Sequence, residues 1–281
     1  MRRRSFRPSF PRAVRALVRA VTGSAALVIG SAVLVIGFAV PVIGSAQAAP
    51  ANFVVGVENI NYLPYYAGDQ GRYDGFARTV LDAYAADRGY HFDYRPLPVT
   101  RLFRELVAGV VDFKFPDNPL WQAAVKQGHA VVYSDPVTDY VDGVLVPPQR
   151  YGKGPAAIHS LGTVRGFTAY DWLDRIKSGS VRLEENPSFS GLMMQGIAQR
   201  VDGVYANIAV SYQTLEQRLH KPGALVFDPG LPHSRSSYRL STVKHPEIVA
   251  DFNTWLAANR VRVDKMKHDW GVDRGLAEAL R

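Results

Sequence analysis

The chain has 281 residues, 47 % of them hydrophobic and 21 % charged, a globular composition long enough for two modest domains. Its formal charge of +8 comes mostly from seven arginines among the first 19 residues; without those seven, the remaining 26 of 33 basic side chains face 25 acidic ones, which leaves no electrostatic case for a nucleic-acid partner. There is no cysteine, so disulfides, thiol catalysis and cysteine-held metals are excluded.

Residues 1–48 read as a secretory signal peptide. An arginine-rich stretch without acids (1–19) is followed by an apolar one with interspersed Gly and Ser (24–43), and Ala46-Gln47-Ala48 supplies the small residues a signal peptidase needs. Cleavage is expected after Ala48, which sends the protein to the periplasm. The alternative is an uncleaved anchor, since about 20 apolar residues span a bilayer. Arg3-Arg4-Ser5-Phe6 also matches the core of a twin-arginine signal, so Sec and twin-arginine export both stay open.

From Phe53 the mature chain alternates strand and helix. Phe53 to Val57 is a short apolar strand, followed by an aromatic loop from Asn59 to Tyr66. Phe76, Val80, Leu81 and Tyr84 repeat at helical spacing, and Gly89 offers a left-handed cap. A strand at His91–Pro96, a helix at Arg101–Ala108 and a strand at Val110–Phe115 complete a pattern that predicts parallel strands with right-handed crossovers. A helix is expected over 119–127, a strand over 137–146 and a linker through Pro147-Pro148. The second α/β block reads as strand 161–165, helix 169–178, strand 180–184, helix 189–200, strand 203–207 and helix 208–220. A Pro/Gly-rich passage ends it at 227–232; strand 237–243, helix 245–259 and a mostly helical tail close the chain. Two blocks joined twice imply one lobe made from both ends of the chain, 49–146 and 234–281, and a second lobe, 147–233, inserted between them.

The order of these features resembles the type II periplasmic solute-binding proteins, in the branch of polar amino acid ABC transport. The features are Tyr62-Leu63-Pro64-Tyr65 after the first strand, Gly75-Phe76 opening the first helix, Gly109-Val110-Val111-Asp112, Ser134-Asp135-Pro136, the loop Gly166-Phe167-Thr168, and Gln199-Arg200-Val201-Asp202-Gly203-Val204. The resemblance covers essentially the whole mature chain. It implies a two-lobed α/β Venus flytrap, each lobe a mostly parallel sheet flanked by helices. It further implies a protein that closes by hinge motion on a small polar solute and, as a monomer, hands it to a membrane permease, with no cofactor and no catalysis.

The sequence departs from that family at two places. Its Thr-x-x-Arg motif, whose arginine pairs with a ligand α-carboxylate, is replaced by Asp117-Asn118-Pro119-Leu120-Trp121-Gln122, with no arginine between Arg104 and Arg150. The acid that binds the α-ammonium is replaced by Asn207. A plain α-amino acid therefore lacks both its charged anchors. In the first lobe the expected lining is Tyr62, Tyr65, Trp121 and Tyr140 as an apolar platform, with Asp117 and Asn118 as orienting groups just past a strand end, where open α/β sheets bind ligands. In the second lobe, Arg165 and the amides of Phe167 and Thr168 at a helix N-terminus suit an anionic group. Asp117 opposite Arg165 fits a zwitterion or hydroxylated acid, whereas Asp117 beneath aromatic rings fits a cationic amine.

Each of these residues also has a plainer reading: the tyrosines and Trp121 as packing, Asp117-Asn118 as a helix cap, Arg165 as a surface ion pair. Glu184-Glu185 is no catalytic pair, since adjacent strand residues face opposite ways. The seven histidines show no metal-ligand spacing, and phosphate-binding glycine loops are absent. Two other functions compete with solute binding. One is an enzyme on the same fold, dehydratase-like on a cyclic acid, with Asp117 as its acid or base. The other is a ligand sensor reporting to a separate membrane receptor.

Overall fold

A computed structural model describes residues 51–69 and 71–280. The expected signal peptide, its cleavage after Ala48 and the twin-arginine match lie outside the described residues. Among the described residues no helix is long and apolar enough to cross a membrane.

The chain begins with β1 (Ala51–Glu58), whose last four residues are buried. A small hairpin follows, β2 (Asn61–Tyr62) and β3 (Tyr66–Ala67), then α1 (Phe76–Arg88). The apolar stripe of α1 is its buried face, and Gly89, at φ 67°, ends it with its N–H on the Ala85 and Ala86 carbonyls. Next come β4 (Tyr90–Leu97), α2 (Val99–Val107), β5 (Phe113–Asp117), α3 (Ala123–Lys126), β6 (Val132–Tyr133) and β7 (Thr138–Val146). The second block supplies β8 (Ser160–Val164), α4 (Leu173–Lys177), β9 (Arg182–Asn186), α5 (Phe189–Ile197), β10 (Gly203–Asn207), α6 (Ile208–Gln213) and β11 (Val226–Phe227). Then β12 (Ser234–Thr242), α7 (Pro246–Ala258) and α8 (Arg260–Trp270) complete the set.

The main sheet runs β4-β1-β5-β12-β7-β10-β8-β9. It contains two parallel triplets, β4-β1-β5 and β10-β8-β9. Between them stand β12 and β7, antiparallel to each other and to the triplet each adjoins. This is the two-lobed α/β architecture the sequence implies, with the two antiparallel strands as the passage from one lobe to the other. β12 serves both sides: Ser234–Tyr238 pair with β7, whereas Arg239 and Ser241 pair with β5, with a register shift between them. Cores form on each side. Val55, Val80, Leu81, Phe113, Val249 and Phe252 fill the first lobe, and Leu192, Val204, Leu215 and Leu225 lie in the second.

Three differences from the expected elements bear on the site. The third strand is Phe113–Asp117 rather than Val110–Phe115: Val110 is 51 % exposed, and the turn before the strand is held by Asp112, whose carboxylate accepts the Val54 N–H at 2.7 Å. The 119–127 helix shrinks to Ala123–Lys126, because the Asn118 side chain takes the Leu120 N–H at 2.9 Å and Gln122 turns to φ 48°. The 169–178 helix starts only at Leu173, after a 3₁₀ turn at Tyr170–Trp172 in which Trp172 is fully buried and its Nε1–H donates to the Pro232 carbonyl.

Candidate functional site

The register of the passage strands gathers the site. Asp142 on β7 is paired on both sides, with Ser234 of β12 and with Asn207 of β10. Because residues two apart on a strand share a face and directly paired residues share it too, Tyr140, Asp142, Ser234, Ser236, Tyr238, Tyr205 and Asn207 all lie on one face of the sheet. Tyr140 and Tyr238 stack with centroids 4.3 Å apart, and Trp121 packs near both, at 6.2 and 5.7 Å.

Asn207 performs two tasks. Its Oδ1 accepts the Val210 N–H and so caps α6, while its Nδ2 donates to Asp142 Oδ1 at 3.3 Å. No other hydrogen bond to the Asp142 side chain is present among the described residues. Burial in this aromatic setting raises the Asp142 carboxyl to about 7, against the opposing hydrogen bond from Asn207 and with a further push from the charge of Asp171. Asp171 itself accepts from the Tyr205 hydroxyl at 3.2 Å, and the Ser234 hydroxyl lies 3.1 Å from that same phenol. Tyr62, Tyr65, Tyr140, Tyr205 and Tyr238 are all raised, first by burial; the Asp142 charge contributes at each. They stay neutral hydroxyls throughout the ordinary pH range.

The β2–β3 hairpin closes the aromatic wall. Tyr65 donates its hydroxyl to the Val272 carbonyl at 2.9 Å and meets Tyr238 edge-on at 4.9 Å. Tyr62 stacks on Tyr66 and reaches across to the second lobe, where its ring stacks on Phe167 at 5.9 Å and meets Phe189 edge-on at 5.3 Å. The hairpin sits tightly on the start of α1. Gly75, at φ 103°, leaves no room for a Cβ, which would fall 2.8 Å from the Tyr65 carbonyl oxygen and the Tyr66 Cα.

The expected residues divide. Tyr62, Tyr65, Trp121, Tyr140, Phe167 and Asn207 come together around Asp142 and the aromatic contact between the lobes. Asp117 and Asn118 do not present free polar groups to it. With the strand shifted, Asp117 is its last residue and fully buried, accepting from the Asn118 N–H (2.7 Å), Lys126 Nζ (2.8 Å) and the Ser241 hydroxyl (2.7 Å). Lys114, also fully buried, lies 3.8 Å from Asp117 and 3.6 Å from Glu58, whose other oxygen accepts the Tyr66 hydroxyl. These charges form an internal cluster of the first lobe. Asn118 spends its amide on Ser236 Oγ and the Ser237 carbonyl. Arg165 is exposed and Thr168 is exposed; the helix N-terminus expected beside them is absent, since α4 begins at Leu173. Arg165 therefore does not stand opposite Asp117 as a matched pair. A cavity of about 590 Å³ beside α3, lined by Pro119, Ala123, Lys126, His129 and Tyr133 among others, contains none of the residues around Asp142.

Asp142, Tyr238, Tyr205, Phe189 and Asp171 escape the sequence reading. The signal was present in Tyr140-Val141-Asp142-Gly143-Val144-Leu145-Val146, where one carboxylate interrupts an apolar strand.

No protein-family model matches the chain, and no curated protein matches it. Solved structures do. A binding component of an ABC transporter from Wolinella succinogenes, complexed with lysine, is 18 % identical, covers 81 % of this chain and 99 % of its own, and superposes with a TM-score of 0.64. The GluR0 ligand-binding core with L-glutamate is 16 % identical over 79 % of this chain and 99 % of its own, with a TM-score of 0.63. An ancestral arginine-binding protein bound to arginine is 19 % identical over 79 % and 99 %, with a TM-score of 0.60. At such identities the likeness is one of fold: the chain has the type II periplasmic-binding-protein fold that these amino-acid-binding proteins share.

Proposed function

We propose that the protein is an exported solute-binding protein that takes a small polar solute between its two lobes, 49–146 with 234–281 and 147–233, and delivers it as a monomer to the permease of an ABC-type uptake system. The observation that carries this reading is the cluster made by Asp142, Tyr140 and Tyr238 on the two strands that pass between the lobes, Tyr205 and Asn207 on β10 and Tyr62 and Tyr65 on the hairpin, roofed by the contact of Tyr62 with Phe167 and Phe189. A hinge at β7 and β12 would part that contact to admit a ligand and restore it afterwards. The solved neighbours that bind amino acids support the solute-binding role.

The test is thermal unfolding against a library of amino acids, amines, carboxylates and sugars. At least one solute should raise the Tm in proportion to ln(1 + [L]/Kd) and reduce the radius of gyration in solution scattering. A library without any such solute, together with native mass spectrometry that finds no retained small molecule, would remove the main support for the reading.

One observation favours a second reading, an enzyme on this fold. A half-buried carboxyl raised to about 7 can give and take a proton near neutral pH, and in that role Asp142 replaces Asp117. Turnover of a bound solute by purified protein, lost in Asp142→Asn, would establish it.

A further inference from the structure

We infer that the solute is an organic ammonium cation without a carboxylate, held with its charge against Asp142 and the tyrosine faces around it. This inference rests on the solute-binding reading of the same cleft and names the class of ligand.

Charge is the first argument. Around Asp142 stand Tyr140 on its own strand, Ser234 and Tyr238 on β12, Tyr205 and Asn207 on β10, Tyr62 and Tyr65 on the hairpin, and Asp171 in the turn before α4. The charged groups acting most strongly on Asp142 and its five tyrosines are Asp142 itself, Asp171 and Asp273, all acids. The cation nearest this wall, Lys114 behind the Trp121 ring at 5.4 Å, is already engaged by Glu58 and Asp117, so an anionic ligand group beside Asp142 would meet a charge of its own sign.

Hydrogen bonding is the second argument. Of the other buried carboxylates, Glu58 and Asp117 are matched by Lys114 and Lys126, and Asp228 accepts the backbone N–H groups of Gly152 and Gly230. Asp142 receives only the neutral amide of Asn207, so its negative form lacks a counter-charge that a ligand could bring. Aromatic chemistry is the third argument. Neutral tyrosine rings present their negative faces to a cation, an attraction that strengthens when water is excluded. Tyr140, two residues from Asp142 on the same face of β7, stacks on Tyr238, and Tyr65 meets Tyr238 edge-on, so the rings near the carboxyl form one continuous aromatic wall. The missing arginine of the amino-acid binders agrees with this arrangement, since a ligand without an α-carboxylate does not need it, and Asp142, paired with Asn207 across β7 and β10, supplies the carboxylate that Asn207 does not.

Calorimetric titration of the mature protein at pH 7.5 tests the inference with tetramethylammonium, n-butylammonium, 1-butanol, butyrate and lysine. Both cations should bind, with butanol and butyrate at least tenfold weaker and lysine weaker than butylammonium. Cation affinity should fall about tenfold for each pH unit below 7, because protonated Asp142 offers no charge. Asp142→Asn, which keeps the shape of the neutral acid, should weaken the cations at least tenfold while leaving the circular dichroism unchanged. Tyr140→Leu should cost several-fold without moving the pH profile. Tighter binding of lysine or butyrate than of butylammonium, cation binding undiminished in Asp142→Asn, or no binding of either cation would each overturn the inference. If a neutral or anionic solute from the wider library binds instead, the cation assignment fails while the solute-binding reading stands.

Discussion

Asp142 links the chemistry of the cleft to the stability of the fold. A carboxyl whose folded value lies above its unfolded one favours the native state while protonated. That stability is complete below the ordinary carboxyl range near 4 and is lost as pH rises through about 7. Asp112, Asp139, Asp202 and Asp251 are displaced the other way, so their contributions are lost only as pH falls below about 4. The interval from pH 5 to 8 therefore isolates Asp142 among the shifted carboxylates. Ligand-free protein should lose stability across it, on the order of 2 kcal/mol once the solvent that still reaches this half-buried carboxyl is allowed for. Asp142→Asn should flatten the profile and be the more stable protein at pH 8. Urea unfolding at several pH values measures both; an identical slope in the variant would refute the assignment. Asp117 makes the opposite case. Asp117→Ala strands Lys126 and Lys114 without their shared acceptor and should cost about 3–5 kcal/mol, while altering ligand selectivity far less than Asp142→Asn does in the same titrations. The sequence drew attention to Asp117, which the fold buries among lysines, and passed over Asp142 for a definable reason. Asp117 followed a proline and a strand whose end was misplaced by two residues, whereas Asp142 stood inside an apolar run where burial alone was expected.

Among the elements, those with a strong period and a clear stop were legible. The stripe of α1 ended at Gly89, and β10 fell at 203–207 as read. Helices contested by side chains were not. Asn118 bonds the backbone ahead of α3, and the ring of Trp172 anchors the turn ahead of α4; propensity along the chain registers neither contact. The β2–β3 hairpin depends on a single permissive residue. Gly75→Ala would place a side chain at φ 103° and against the Tyr65 carbonyl, a strained geometry costing about 1–3 kcal/mol. It should also displace Tyr62 and Tyr65 together, so ligand affinity should fall along with the unfolding midpoint. Loss of stability with affinity unchanged would show that the hairpin does not help form the cleft.

At the scale of the whole molecule, the alternation of strand and helix announced an α/β fold with two parallel triplets. The order of the strands was not legible, because the exchange of partners by β12 from β7 to β5 depends on register between distant segments rather than on any local pattern. That exchange also sets a timetable for synthesis. The strands β7 to β11 are contiguous in the chain and can pair as soon as they emerge, but β5 acquires its neighbour on the β12 side only when residues 239–241 have been made. A nascent chain stopped at His233 should protect the amides of β8 and β10 from hydrogen exchange and leave β5 less protected than in the full chain; equal protection of β5 in the two would disprove the sequence of events. The sheet of the first lobe therefore keeps one open edge, at β5, until almost the last strand of the chain has been synthesised.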